Sequence, residues 1–581
     1  MLKVFDFTLL IQLLKYVKPY KAIFIGTILV SVFFGFLSIV RPLLIQYAFD
    51  YYILNYNAAG LLYIMGCIFM LLLLEAFFQF IFIYRSNYVS QKIIHDIRSE
   101  VFQKVISFKM HYFDKTPTGQ LITRVISDME SISSIFSQGL LVVFGDFFKM
   151  FLIILCMFWM NWRLACISLL FLPFLVLSTI VFQKYMKKAF IDVRKYIAQI
   201  NMFVYEHIIG MNIVQVFGKE SKVFDKFKQL NGLHRDAHIK TVLYFSVFLP
   251  IVDVFSAVAM GFVVWYGAIQ AVLNDTVTVG EIIAFILFIN MLFRPLRGIA
   301  DRLNILQMGI VAAHRVFDIL DSDTELEVHD NEYANTKMPI SSIVFQDVCF
   351  SYKVGEPVLK NLNFTIKKNE TLAIVGPTGS GKTTIINLIM KWYHFSNGNI
   401  LIDDKNISEI PVNVLRHNIG VVLQENLFLS DTLMNNIKFF NNVSDQDVFL
   451  AVKRIGLDDF INKFPGQYNY HVGERGSGLS EGEKQLISFL RTYLINPSYL
   501  ILDEATSSMD PSTEALIQKS IQNLTQNRTS IIIAHRLSTI KYADKIIVLE
   551  NGVLIESGSH DDLIKLNGKY ANYYYQQFLT N

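Results

Sequence analysis

Gly376-Pro377-Thr378-Gly379-Ser380-Gly381-Lys382-Thr383-Thr384 is the stretch on which the reading of this chain turns. It fits G-x-x-x-x-G-K-[ST], with a short apolar run (371–375) leading in and a helix-compatible run (383–391) leading out. A loop between strand and helix is what a phosphate cradle requires. Glycines let backbone N–H groups turn toward a triphosphate without Cβ clashes, and the helix N-terminus adds its positive dipole end. Lys382 brings a full charge to the β/γ-phosphates, and Thr383 is placed to hold Mg²⁺.

The rest of the chain sets that loop beside a membrane. Of 581 residues, 53% are hydrophobic and only 17% charged, with mean hydropathy +0.39, too apolar for an ordinary soluble protein. The net charge of +3 and the absence of a Lys/Arg block imply no nucleic-acid partner. Four cysteines without C-x-x-C spacing suggest neither a disulfide framework nor a zinc site.

Residues 1–315 read as a transmembrane domain. An apolar stretch at about 7–18 is too short to span and reads as an interfacial helix. Six spans follow, at about 22–46, 61–84, 138–160, 163–183, 244–272 and 279–300, the last the weakest. Two long polar, helix-compatible segments separate the second span from the third and the fourth from the fifth. They carry Arg85, Lys92, Arg98, Lys104, Lys184, Lys187, Lys188 and Arg194, whereas the short turns at 51–60 and 274–280 carry no Lys or Arg. The positive-inside bias puts the long segments and both termini in the cytoplasm of a cell-membrane protein, where the phosphate loop meets ATP. Glu75, Asp146 and Asp253 lie in or beside apolar runs, where an ionisable group is costly and tends to face a cavity or partner. They are candidates for a substrate path suited to a lipophilic cation. The alternative is that Asp146 pairs with Lys149 and the others sit near an interface.

Residues 316–340 are acidic and polar, a linker into an α/β domain at 341–581. Residues 499–504 and 530–535 are apolar runs ending in charge, as buried parallel strands do. Ligand groups gather at the C-terminal ends of such strands. Asp503 is positioned to hold Mg²⁺ through its shell, Glu504 to orient or deprotonate a water attacking the γ-phosphate, and His535 to contact the same phosphate.

With these residues in place the chain resembles, over nearly its full length, a half-transporter of the ABC exporter family: an all-α six-helix membrane domain with long cytoplasmic extensions, then a P-loop ATPase domain. The resemblance implies that Tyr352 stacks on adenine, that Gln424 senses Mg²⁺ and faces the membrane part, that Ser480-Glu481-Gly482-Glu483 holds the signature position, and that Asp510 lies in the loop linking two subunits. It also implies a dimer with each ATP pinned between one subunit's phosphate loop and the other's signature. Residues 112–121, broken by Pro117 and Gly119, and 208–217 resemble coupling helices; the plainer reading is that they are loop ends.

The implied activity is ATP-driven export of a small lipophilic substrate across the cell membrane, by alternating access coupled to dimerisation of the nucleotide domains and ATP hydrolysis, with the lipid bilayer as its surroundings. No peptidase-like segment precedes the spans, so drugs, lipids and peptides all stay open. An ATP-gated channel or regulatory membrane protein is the alternative; intact Glu504 and His535 argue against it, since a gate works by binding alone. A soluble ATPase acting on nucleic acid fails on the spans. Where the family reads LSGGQ, this chain reads LSEGE. A carboxylate about 6 Å from a γ-phosphate at an effective dielectric of about 20 costs roughly 3 kcal/mol. A homodimer would carry that defect twice, although Ser480 and Gly482, the main phosphate contacts, remain. The expectation is therefore a heterodimer, resembling bacterial heterodimeric multidrug exporters, whose partner supplies a regular signature to this chain's Lys382 and Glu504.

Overall fold

In this computed structural model the described residues are 7–273, 276–322, 342–353, 355–424, 426–503, 511–533 and 540–578. The chain divides into two compact units, one of residues 1–106 and 117–323, the other of Ser107–Thr116 with 324–581.

The first unit is all helix: α1 (Phe7–Lys15), α2 (Lys21–Tyr47), α3 (Ala58–Ile106), then, after α4 (Met110–Lys115), α5 (Thr118–Val125), α6 (Ser127–Ser134), α7 (Leu141–Met160), α8 (Trp162–Leu169), α9 (Leu172–Ile209), α10 (Met211–Val216), α11 (Glu220–Leu273) and α12 (Val279–Leu320). Six stretches among the described residues are long and apolar enough to cross a membrane: Lys18–Ile53, Ala58–Ile106, Thr118–Met160, Trp162–Ile209, Glu220–Val272 and Val279–Leu296. A backbone in hydrocarbon must satisfy its hydrogen bonds internally, and a helix alone does so within a single segment, which is why apolar runs of this length fold as helices. The fourth span, one uncharged run in the sequence, is interrupted between α8 and α9. Pro173 sits in the first turn of α9, where its missing N–H costs nothing, and the helix restarts there.

Packing between these helices is dense. Ile153, Met157, Leu164, Leu175, Val252, Ala259, Phe285 and Phe288 are fully buried in one cluster. Small residues permit the closest approaches: a Cβ on Gly309 of α12 would lie 2.2 Å from Cγ1 of Ile135 and 2.9 Å from the Ser131 carbonyl oxygen.

The second unit carries an antiparallel sheet in the order β2-β1-β4-β5, from Pro357–Ile366, Ile343–Ser351, Asn397–Ile402 and Lys405–Asn406. Its central sheet has six strands. With β3 as Thr371–Val375, β6 as Ile419–Val422, β7 as Tyr499–Asp503, β8 as Thr529–Ile533, β9 as Lys545–Glu550 and β10 as Val553–Gly558, the order is β10-β9-β3-β8-β7-β6, all parallel except β10. Both faces are covered: Leu372, Ile374, Tyr499 and Ile501 enter one buried cluster, Ala373, Val375, Leu500 and Leu502 the other. That double burial is why these strands read as unbroken apolar runs.

The glycine contacts predict opposite signs for two substitutions. Gly309→Ala forces atoms into occupied space, at a cost of about 1–3 kcal/mol, and should lower the unfolding midpoint in detergent. Gly66→Ala meets no atom within 4 Å and replaces a helical glycine, so the midpoint should hold or rise. Equal midpoints would refute the packing described.

Candidate functional site

The central strand β3 delivers the loop. After Val375 the chain turns at Gly376, with φ of +156°, where a Cβ would strike the Leu549 carbonyl oxygen at 2.2 Å. At Gly379, φ is +82° and a Cβ would meet nothing within 4 Å, so the backbone conformation alone favours glycine there and the space beside it is open. Lys382 then starts the helix α13 (Lys382–Ile389). Its Nζ folds back to donate to the Gly376 carbonyl at 2.8 Å and the Pro377 carbonyl at 3.0 Å. The side chain is buried, and burial pushes its pKa below the usual lysine range, with Asp503 opposing the shift. Burial likewise pushes Asp503 up, with Lys382 opposing. Each charge thus offsets part of the other's burial cost.

Ser380 Oγ is buried and has no hydrogen-bond partner among the described residues. An orphaned hydroxyl, an open loop and a buried ammonium together fit an anion of phosphate type. Thr383 is exposed beside them, while Thr384 is buried and 3.2 Å from the Tyr352 hydroxyl.

The sheet register gathers the remaining groups at one edge. Asp503 ends β7 opposite Ile533 of β8, and Val422 of β6 pairs with Leu502, so Gln424 follows at the same edge, exposed. Tyr352 receives a hydrogen bond from Asn387 at 2.8 Å and meets Phe350 and Tyr393 edge to face. Glu504, Asp510 and His535 lie outside the described residues.

At the signature, Ser480 caps the helix α14 (Glu481–Ile495) in a capping box. Its Oγ accepts from the Glu483 N–H at 3.3 Å, and the Glu483 carboxylate accepts from the Ser480 N–H at 2.8 Å. Glu481 is engaged by the Lys484 ammonium at 2.9 Å. Both carboxylates thus have partners within this chain: one is bound to its own helix N-terminus, the other faces a lysine. Gly482 is buried on the first turn.

The intramembrane acids are partnered too. Glu75 pairs with Arg41 at 3.6 Å, and Asp146 pairs with Arg302 of α12 rather than with Lys149. Neither presents the uncompensated negative charge that would draw a cation. Asp253 is exposed on α11.

Two groups escaped the sequence reading. Arg491 sits between the Phe428 and Phe439 rings at 4.5 and 4.6 Å and donates to the Asn436 and Leu427 carbonyls. Burial pushes its pKa down to about 10. It ties α14 to the segment after Gln424, and a lone arginine in an apolar helix was the available signal. The other is Tyr393, which holds α4, the coupling-helix candidate expected at 112–121 and found at Met110–Lys115, with Pro117 capping α5. The Tyr393 hydroxyl donates to Asp114, and its ring meets His111 edge-on at 5.8 Å. Tyr393 thus touches both Tyr352 and α4.

A P-loop at the centre of a parallel sheet, joined to six apolar helices, defines a membrane-bound nucleotide hydrolase. Residues 24–296 match the ABC transporter transmembrane region and residues 359–507 the ABC transporter domain. A Staphylococcus aureus ATP-binding/permease protein, provisionally named for multidrug export, is 34% identical over 97% of this chain and 98% of its own length. The ATP-dependent lipid A-core flippase of Desulfotalea psychrophila is 35% identical over 84% of this chain and 85% of its own. The solved structure of a bacterial Atm1-family ABC exporter with ATP bound superimposes with a TM-score of 0.79 at 26% identity, over 95% of this chain and 98% of that one. The chain belongs to the ABC exporter family as a half-transporter, an ATPase whose hydrolysis is coupled to transport.

The depressed pKa of Lys382 predicts how ATP binds in the alkaline range. A triphosphate favours the charged ammonium and raises its pKa, so binding takes up a proton, and affinity falls as pH rises through the depressed value. Calorimetry in buffers of different ionisation heat should give a buffer-dependent enthalpy that grows with pH. A buffer-independent enthalpy would contradict this.

Proposed function

We propose that this chain is the catalytically complete subunit of a heterodimeric ATP-driven exporter in the cell membrane, with its nucleotide-binding domain and both termini cytoplasmic. The observation that carries the heterodimer is the signature. The N-terminus of α14, whose N–H groups and dipole would meet a partner-held γ-phosphate, is already served by the Glu483 carboxylate. An anion arriving there must displace that carboxylate or sit beside it, so the site under this signature is weak. The opposite site combines this chain's loop with the partner's signature.

In that site Lys382 holds the β/γ-phosphates, Ser380 turns its unpartnered hydroxyl to them, and Tyr352 stacks on the base. Thr383, Gln424 and Asp503 would hold Mg²⁺, which when bound neutralises developing charge on the phosphates. Glu504 orients the attacking water, His535 contacts the γ-phosphate, and Asp510 links the subunits. Closure reaches the spans through α4, whose Asp114 accepts from Tyr393, the ring neighbour of Tyr352. Export of lipophilic compounds is favoured by relatives named for multidrug export and for lipid flipping.

The chain purified alone tests this reading. Its ATPase rate should be low, and Glu481→Gly with Glu483→Gln, which removes both charges while a glutamine still completes the cap, should raise it about tenfold, or 1.4 kcal/mol of barrier. Adding Glu504→Gln should cancel the gain. A chain that alone hydrolyses ATP as fast as the charge-free variant would establish the homodimer instead.

A further inference from the structure

A cavity of about 520 Å³ opens in the membrane unit between α9 and α12, with α6 and α11 contributing one residue each. That volume is in the range of small-molecule sites. Two helical stripes face it. On α9, Phe182, Met186, Phe190 and Arg194 recur every four residues, with Lys187 next to Met186; on α12, Asp301, Asn304, Met308, Val311 and Arg315 recur at three- and four-residue steps. Each stripe mixes apolar bulk with charge. The first begins where the uncharged fourth span ends: Phe182 stacks on Phe248 at 4.1 Å and meets Phe245 at 5.2 Å, while Lys187 and Arg194 follow in the polar extension. The cavity therefore straddles the boundary between apolar and polar surroundings, the depth at which an amphiphile rests.

Its charge has a sign. Arg315 is held by Asp128 at 2.5 Å. Among the described residues neither Lys187 nor Arg194 has a carboxylate within ion-pair distance. Arg194 instead donates to the Met308 thioether at 2.9 Å, a weak acceptor for a guanidinium. With Asp301 also on the wall, the lining carries a surplus of one positive charge beyond its paired groups, and Asn304 and Gln183 supply neutral donors.

We propose that this cavity is a transport-substrate site for an amphiphile with an anionic head and an apolar tail, its head on Lys187 and Arg194 and its tail against Phe182, Met186 and Phe190. The proposal rests on the exporter reading above and narrows its substrate class. A guanidinium that exchanges a thioether for a phosphate or sulfate gains a charge-assisted hydrogen bond, while a cationic amphiphile would meet two like charges.

The test uses the full chain in phosphatidylcholine nanodiscs, with empty nanodiscs as baseline, and titrates dodecyl phosphate, dodecyltrimethylammonium and inorganic phosphate calorimetrically. Dodecyl phosphate should bind on the order of tenfold more tightly than either of the others, the advantage expected of a hydrogen bond to a charged group. Lys187→Gln with Arg194→Gln should abolish the preference, and the charge-keeping swap Lys187→Arg with Arg194→Lys should retain it. Equal binding of the cationic amphiphile overturns the proposal, as does unchanged binding in the double glutamine variant or loss in the charge-keeping one. Inorganic phosphate binding as tightly as dodecyl phosphate assigns the site to a free anion and also overturns it. ATPase activity read in parallel on the Glu481→Gly, Glu483→Gln chain, which the proposed function expects to hydrolyse without a partner, keeps the two readings apart: hydrolysis without anion preference sinks only this proposal, and anion preference without any hydrolysis in that variant sinks only the exporter reading.

Discussion

The ammonium of Lys382, buried at the N-terminus of α13 and held by the carbonyls of Gly376 and Pro377, is the constraint from which the rest of the nucleotide unit follows. A charge in that position is costly unless an anion or a ring of acceptors answers it. Here the acceptors are the loop's own carbonyls with Asp503 beside them, and the sheet register that sets Asp503 there is fixed by two buried faces. Under the proposed function a bound triphosphate would take over from the carbonyls, so that the lysine which shapes the loop would also recognise the ligand.

From that edge the structure leads outward by ring contacts. Tyr352 meets Tyr393, whose hydroxyl is committed to Asp114 on α4. A short helix held by one aromatic side chain is tied to the domain that holds it, and under the proposed function that tie would pass closure on without melting a segment. Arg491 plays the corresponding part for the segment after Gln424, clamping it to the signature helix through two rings and two carbonyls.

Much of this was legible in the sequence because the signals were local. The phosphate loop has its own pattern, the buried strands read as continuous apolar runs because both faces are covered, and the spans read as helices because unbroken apolar runs of that length satisfy their backbone within one segment. Long-range side-chain partners were not legible. Asp146 and Lys149 are one turn apart, yet the aspartate reaches Arg302 on another helix. The Tyr393–Asp114 bond spans 279 positions in the chain. The signature is a different case: Ser480-x-x-Glu483 is itself a capping-box pattern, and reading Glu483 only as a charge facing a phosphate overlooked the helix it caps.

The central claim is that hydrolysis at the Lys382 loop performs work on a substrate in the membrane domain. Its most direct test is accumulation of a fluorescent amphiphile against a gradient in sealed proteoliposomes, with ATP consumed and substrate moved counted in one preparation. The account predicts uphill accumulation that requires ATP and disappears, together with hydrolysis, in Lys382→Ala. Flux that only dissipates a gradient, or that survives the loss of hydrolysis, would contradict it.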